Sequence, residues 1–370
     1  MLFIRGIALL DTIVRLVYTN GTLYGMIEEL IMEQKGYFRT LAALKGLFIL
    51  LIAVHNTMLI TPLFSGVPGM AFILLFGGLF GNSMFYILSG FLLSAGYKRR
   101  IQGHSIAFPE YLRRRLKKLY PMYILSNAAV LILELIRYGV SAVNIKKIVF
   151  TLLLVGNTYN HPTSFLCALF VCYILFFAVA YFAKSPTHYG FFLTFCVAAG
   201  YILTGADLEL PFLSAANGLA LMNFFLGCIL AEVYPLISEK LHRWLQPAFL
   251  VLVPLLLFFM LAYGVEVIAG DVKVAFGFAI CPMILYLALV KGPCSRILQW
   301  KGFVALGGIS SSIFFWHLVV YMAFCDLHAL VTGGGTVREP AYLLYFPLML
   351  IFSAVIQKFQ EKKPAVGSRS

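Results

Sequence analysis

Two histidines lie deep inside apolar stretches of the sequence, where ionisable side chains are costly to bury. They are His55 in LKGLFILLIAVHNT and His317 in ISSSIFFWH. A lone histidine in lipid commonly forms a hydrogen bond between helices. Imidazole is also the side chain best suited to general-base work near neutral pH. The two histidines are therefore candidates either for helix packing or for proton transfer.

A second candidate is the basic segment FPEYLRRRLKKLYPMY at residues 108–123. Arginine pairs with phosphate through two parallel hydrogen bonds, so this segment is a candidate anion site for a phosphorylated cytoplasmic ligand. Dense positive charge also holds a loop on the cytoplasmic side of a membrane. Charge alone does not separate these two interpretations.

The third feature is FGNSMFYILSGFLLSAGY, which ends at Tyr97. Its small residues at 81–83 and 89–90 allow helices to approach closely. Ordinary helix packing explains such a pattern without any chemistry.

The elements that must position these residues are transmembrane helices. Apolar residues make up 61% of the 370 positions and charged residues 12%, and the mean hydropathy is +0.92. Soluble domains are about 45–50% apolar and about 25% charged, so the composition predicts an all-α, polytopic membrane protein. The net charge of +13 lies mainly in short connections between apolar runs, which suits topology and anionic headgroups and disfavours nucleic acid as a partner.

The apolar runs predict about ten spans. They lie near residues 41–61, 70–95, 119–136, 164–183, 188–205, 213–233, 247–264, 272–290, 302–325 and 341–357. One more run, 145–156, is about a dozen residues long, which is more typical of a re-entrant or interfacial segment than of a crossing.

The charges in the connections predict the orientation. Segment 96–118 holds eight bases against Glu110 and is therefore cytoplasmic. If 145–156 does not cross, the later basic connections also lie inside, the acidic ones lie outside, and both termini are cytoplasmic. Three bases remain as exceptions on the outer side, namely Arg137, Lys146 and Lys147.

The remaining features bound the domain organisation. The seven cysteines include no CxxC pair and nearly all lie in apolar runs, so we predict neither a disulfide framework nor a metal site. Residues 1–38 are predicted to be an amphipathic interfacial helix or an extension from a misplaced start codon, since MEQKGYFRTLAALKG from Met32 reads like a natural beginning. Residues 39–357 are predicted to form the transmembrane domain, and 358–370 a basic cytoplasmic tail.

Taken in order along the chain, the motifs resemble the acyltransferase-3 family of integral membrane acyltransferases. The order is a basic residue and a histidine in the first span, SGFLL in the second, RRxxKxxP before the third, and ISxxIFFWH late in the chain. The resemblance covers about 41–325. Residue by residue, it falls on Lys45, His55, Ser89, Gly90, Phe91, Arg115, Lys118, Pro121, Ser310, Trp316 and His317.

The sequence departs from the family pattern at three places. Lys45 precedes His55 by ten residues where the family usually has eleven, and one residue turns a helix by about 100°. Lys118 replaces the usual arginine, and Ser164 stands where tryptophan is common. No hydrolase-like extracytoplasmic domain follows the tenth predicted span, so we expect the stand-alone form of the family.

The resemblance implies acyl transfer from cytoplasmic acyl-CoA, most often acetyl-CoA, to a hydroxyl group of an acceptor. Acyl-CoA would be a co-substrate rather than a bound cofactor. His55, with Lys45, would act as general base or carry the acyl group transiently, and His317 would position His55 or the acceptor. Phosphates of CoA would be bound by Arg113, Arg114, Arg115 and Lys118. The family context implies a bacterial inner (plasma) membrane and an acceptor that is a cell-envelope glycan or a lipid-linked relative.

A different class of function fits the composition as well. Ten spans, intramembrane histidines and Gly/Pro interruptions also suit a transporter or flippase-type carrier. Such carriers often contain two repeated halves. No convincing match relates 41–183 to 188–357, and few acidic residues lie mid-membrane, so the acyltransferase is the favoured prediction.

Overall fold

The computed structural model describes residues 21–361, except 62–67, 157, 207–209, 211, 264–271, 335–336 and 338. Within these residues the fold is helical, and the only β pairing is one isolated bridge between Leu210 and Leu213. The helices are α1 (Gly21–Ile60), α2 (Pro68–Gln102), α3 (Phe108–Tyr138), α4 (Ile145–Leu152), α5 (Ser164–Phe182), α6 (Pro186–Gly205), α7 (Ala215–Val233), α8 (Glu239–Tyr263), α9 (Val272–Leu289, π-helical over Ala275–Ile280), α10 (Pro293–Leu298), α11 (Lys301–Thr332) and α12 (Glu339–Glu361).

Ten of the described helical segments are long and apolar enough to cross a membrane, which confirms the predicted bundle of about ten spans. They are Gly36–Ile60, Phe72–Gln102, Leu119–Ala142, His161–Phe182, Pro186–Gly205, Ala215–Leu236, Glu239–Ala262, Val272–Leu289, Lys301–Thr332 and Pro340–Gln360. An even number of crossings brings the two ends of the bundle to the same side. The chain is a multi-pass membrane protein.

Helix α4 occupies the run at 145–156 and, at eight residues, is far too short to cross. It starts just after α3 ends and finishes beside Tyr120 and Tyr123, four to five turns back along α3. The Tyr120 hydroxyl donates to the Leu152 carbonyl, and the Tyr123 hydroxyl donates to the Thr151 carbonyl, both at 2.9 Å. These bonds satisfy carbonyls that a helix end leaves unpaired, and they fix the segment where it turns back along α3. Residues 145–163 are called the re-entrant segment below.

An asparagine network anchors the return of the chain into α5. The backbone N–H of Asn160 donates to the Asn127 Oδ1 atom of α3 at 2.8 Å. Its side-chain amide donates to the Phe315 carbonyl of α11 at 2.8 Å. The Asn127 amide in turn donates to the Thr163 hydroxyl at 3.0 Å. The re-entrant segment is thereby fixed to two spanning helices.

The small residues of the second span have the packing role that their pattern predicts. Gly90 of α2 lies against the Phe224 carbonyl of α7, and Gly227 of α7 lies against the Ile87 carbonyl of α2. A Cβ atom at either glycine would collide with the backbone of the other helix. The α2–α7 crossing therefore requires glycine at both positions.

Ion pairs at the two ends of the bundle join residues that the charge pattern assigns to the same side. Lys98 pairs with Glu232 at the end assigned to the cytoplasm. Arg137 pairs with Asp326 at the opposite end, at 2.8 Å. The placement of these pairs agrees with the predicted alternation of spans.

Candidate functional site

A cavity of about 940 Å³ lies between α1, α2, α5, α7 and the re-entrant segment. Apolar walls surround a set of polar side chains, and those that matter below are His55, Asn56, Asn82, Tyr86, Lys146 and His161. A polar cavity walled by irregular backbone is the setting in which such backbone is tolerated at membrane depth.

The cavity lies toward the outer end of the spans as the charge pattern orients them. Nineteen residues of the first span separate Gly36 from His55, which is about 28 Å of helix. The hydrocarbon core of a bilayer is about 30 Å thick. His55 therefore lies in the C-terminal part of the first span, toward the end that the charge pattern assigns to the outer side.

The His55 imidazole is held in one orientation by α2. Its Nδ1 atom lies 2.9 Å from the Ile73 carbonyl oxygen, which can only accept, so Nδ1 carries the proton. The ring rests on Gly78, where an added Cβ atom would come within 2.5 Å of Nε2. Nε2 has the lone pair, and within the described part of the chain no hydrogen bond to it is present. This is the tautomer that a base or nucleophile at Nε2 needs.

The surroundings of His317 are different. His317 is fully buried in α11, and its Nδ1 atom donates to the carbonyls of Ile313 and Phe314 in its own helix. Its Nε2 atom accepts from the Asn56 side-chain amide at 3.2 Å. Asn56 lines the cavity whereas His317 does not. The structure therefore connects His317 to the cavity through Asn56 and places it in contact with neither Nδ1 nor Nε2 of His55.

Lys45 lies ten residues, about 15 Å, before His55 on α1, and its ammonium group sits over the Phe85 ring at 5.2 Å. Phe85 packs edge-on against Phe165, with ring centroids 5.0 Å apart, and stacks on Phe314 with centroids 6.1 Å apart. Phe165 forms part of the cavity wall. Lys45 therefore lies beside an aromatic cluster at the edge of the cavity.

The remaining motif residues serve packing and lie outside the cavity wall. Ser89 and Ser310 donate to carbonyls in their own helices, those of Phe85 and Gly307, each at 2.8 Å. Phe91 is buried in the core beside Tyr37, and Trp316 packs on Phe352. Pro121 lies inside α3, which continues past it to Tyr138.

Arg115 packs on the aromatic end of α2, at the end of the bundle that the charge pattern assigns to the cytoplasm. Its guanidinium group lies 4.1 Å from the centroid of the Tyr97 ring, and Arg100 lies over the same ring at 5.4 Å. The buried Nε atom of Arg115 has no hydrogen-bond partner among the described residues. The Tyr111 hydroxyl, one turn earlier on α3, donates to the Tyr173 carbonyl at 3.1 Å and fixes this part of α3 against α5. Arg115 is thus oriented by stacking, with hydrogen-bond donors left for an anion.

The other predicted phosphate ligands are less constrained. Arg113 and Arg114 are exposed, and Arg114 pairs with Glu110 one turn earlier on α3. The side chain of Lys118 lies outside the described residues. Arg115 differs from Arg113 and Arg114 because its guanidinium group is held against an aromatic ring.

Comparison with protein families matches residues 39–358 to the acyltransferase-3 model, described as an acyltransferase domain. This match covers most of the chain. The chain belongs to the acyltransferase-3 family. No curated protein and no solved structure matches it significantly. Together with the ten spans, the match shows a membrane acyltransferase.

Several cavity residues of this acyltransferase-3 protein were not among the predicted site residues. Asn56 directly follows His55, so the dipeptide itself was an available signal. Asn82 lies in the stretch that we interpreted as small-residue packing. Lys146 and His161 come from the re-entrant segment and its return, and the only signal for Lys146 was its charge on the outer side. No group of three or more metal-binding side chains occurs in the part of the chain that the structure describes.

Proposed function

We propose that this protein is an O-acyltransferase, specifically an O-acetyltransferase, of a bacterial plasma membrane. It moves an acyl group from cytoplasmic acyl-CoA to a hydroxyl group of a cell-envelope glycan or a lipid-linked relative. The observation that carries the proposal is the His55 imidazole, which is fixed in the Nδ1–H tautomer beside a large polar cavity.

The proposed reaction breaks the acyl–sulfur bond of the thioester and forms an acyl–oxygen bond on the acceptor. His55 Nε2 takes the proton of the attacking hydroxyl, and the leaving CoA thiolate receives that proton to become the free thiol. In the alternative order, Nε2 attacks the thioester and carries the acyl group before the hydroxyl accepts it. Both orders need the lone pair on Nε2.

The donor would bind at the cytoplasmic surface around Arg115. CoA carries several phosphate charges, and an arginine stacked on Tyr97 is suited to bind them. Tyr97 and Gly78 lie nineteen residues apart on α2, which is about 28 Å of helix. The long pantetheine arm would therefore extend between helices, past the aromatic cluster at Phe85, to bring the thioester toward His55.

The test uses the purified full-length chain in proteoliposomes with acetyl-labelled acetyl-CoA. As acceptor we would add envelope glycan from cells that lack the gene. Acceptor-dependent release of free CoA, with label on the glycan, supports the enzyme. Accumulation of an intact solute in the vesicles without loss of thioester would instead support a carrier. Label exchange between CoA and acetyl-CoA without acceptor would identify the acyl-histidine route.

The donor site provides a matched pair of variants. We expect Arg115→Gln to raise the acetyl-CoA concentration for half-maximal rate about tenfold, because a charge-assisted phosphate contact is lost. Arg114→Gln removes the same charge from an exposed residue already paired with Glu110, and we expect a change within about twofold. Equal effects in the two variants would argue against a specific phosphate contact at Arg115.

A further inference from the structure

The three bases on the outer side have different surroundings, although the positive-inside rule treats them alike. Arg137 is paired with Asp326 and also donates to the Met322 carbonyl. Lys147 places its ammonium group over the Tyr159 ring at 4.3 Å. Lys146, in the first turn of α4, is exposed and lines the cavity that contains His55. The Lys146 ammonium group lies over the Phe150 ring at 5.5 Å, and both residues line the cavity. Arg137 and Lys147 are thus engaged outside the cavity wall, whereas Lys146 and its aromatic contact lie within it.

The described wall of the cavity has one ammonium group, that of Lys146, and no carboxylate. Lys146 and His161 line it, and none of the described lining residues is an aspartate or a glutamate. Asp207 and Glu209 lie outside the described residues. Among the described lining residues, no carboxylate neutralises the charge of Lys146.

A helix end adds to the same field. The nineteen-residue helix α7 begins at Ala215, and Ser214, Ala215 and Asn217 all line the cavity. The N-terminus of a helix has a partial positive charge, and helix N-termini at membrane depth commonly point at anionic substrate groups. Lys146 and this helix end come from different elements and border one cavity.

We propose that the acceptor carries an anionic group, a phosphate or a carboxylate, and that Lys146 binds it while His55 acts on a nearby hydroxyl. This inference rests on the proposed acyl transfer and specifies the class of its acceptor. It also accounts for a lysine on the side of the membrane where topology disfavours basic residues.

The test measures binding, so that it does not depend on turnover. The purified full-length chain is mixed with radiolabelled hexose 1-phosphate or hexuronate, and the neutral hexose serves as the comparison. Excess CoA is present to occupy the cytoplasmic basic surface. We expect at least one of the two anionic sugars to bind more tightly than the neutral hexose. The sugar that binds more tightly identifies the anionic group of the acceptor as a phosphate or a carboxylate.

Variants at adjacent lysines then locate the charge. We expect Lys146→Gln to weaken binding of the anionic sugar about tenfold and Lys146→Arg to retain it within about threefold. Lys147→Gln removes the same charge one residue away, outside the cavity wall, and should stay within about twofold. Gel filtration of each variant checks folding, and Lys146→Arg keeps the test valid if Lys146→Gln does not fold.

Two results would overturn the inference. One is equal binding of neutral and anionic sugars, or no binding of the anionic sugars up to millimolar concentration. The other is equal weakening by Lys146→Gln and Lys147→Gln. If the anionic sugar binds to the unaltered protein and to His55→Ala, but the unaltered protein does not transfer acetyl groups, the acyl-transfer proposal is refuted and the anion site is supported. Acetyl transfer to neutral glycans alone would support the acyl-transfer proposal and refute the anion site.

Discussion

The regions around the two intramembrane histidines look alike in sequence and differ in the folded protein. His55 and His317 both lie inside long apolar helices, His55 in the C-terminal part of its span and His317 at the middle of its span. His55 donates a hydrogen bond from Nδ1 to a carbonyl of a neighbouring helix, and its Nε2 atom stays available beside the cavity. His317 is fully buried, with both nitrogens engaged by α11 and Asn56. An intramembrane histidine can thus be a reactive group or a structural acceptor. The role depends on whether its second ring nitrogen has a hydrogen-bond partner.

The difference assigns the two histidines to different roles. Replacing His55 removes the proposed reacting atom, whereas replacing His317 removes the acceptor of the Asn56 amide and the Nδ1 bonds within α11. The first change should act on the chemical step itself. The second should act through geometry and should therefore be smaller and open to rescue.

The largest effect is expected for His55→Ala. General-base catalysis contributes about 10²–10⁴ in rate, so we expect acetyl transfer to fall at least about a hundredfold while the protein still reaches the membrane. Acetyl label on envelope glycan, normalised to the amount of protein in membranes, measures this. His188→Ala, at an exposed histidine at the start of α6, should leave transfer unchanged. An active His55→Ala protein would eliminate the assigned role.

The comparison also shows how much of the fold and of the candidate site could be predicted from the sequence. Apolar runs and charge parity predicted the ten crossings and the short segment at 145–156, because lipid imposes length and charge rules on each helix separately. Motif order identified the family. The cavity depends on the re-entrant turn, and its depth is set by contacts such as Tyr123 with Thr151 that no local pattern encodes. The partners of each histidine likewise come from distant parts of the chain.

The charge motifs show the same limit. The basic segment was recognised as a surface, but its four predicted phosphate ligands are not equivalent. Stacking on Tyr97 distinguishes Arg115, and the ion pair with Glu110 occupies Arg114. Tyr97 lies on another helix, so sequence spacing within the segment could not rank these arginines. The assigned roles of all of these residues stay predictions until they are tested.

A smaller but still large effect is expected from the surface that supports His55. In Gly78→Ala, the added methyl group would come within 2.5 Å of Nε2, so the imidazole must move. A displacement of about 1 Å costs about a hundredfold in well-oriented reactions, and we expect a loss of up to that size in maximal rate. Gly96→Ala is the matched control, since it lies on the same helix and its Cβ atom would meet no other atom within 4 Å. Equal activity of the two alanine variants would show that the position of the ring against α2 does not matter.

The smallest of the three effects is expected at His317 and tests the role of its second nitrogen. His317→Ala leaves the Asn56 amide without its acceptor, and the loss of one buried hydrogen bond corresponds to about a tenfold change. If His317 positions Asn56, and Asn56 the acceptor, the concentration of acceptor glycan for half-maximal rate should rise more than the maximal rate falls. His317→Gln provides an oxygen near the place of Nε2 and should restore most of the lost affinity.

A merely structural role of His317 predicts a different result. Both variants would lower the amount of folded protein, and neither would change one kinetic parameter more than the other. A loss at His317 as complete as that at His55 would mean that the two histidines act as one unit, and the distinction drawn from their second nitrogens would be wrong.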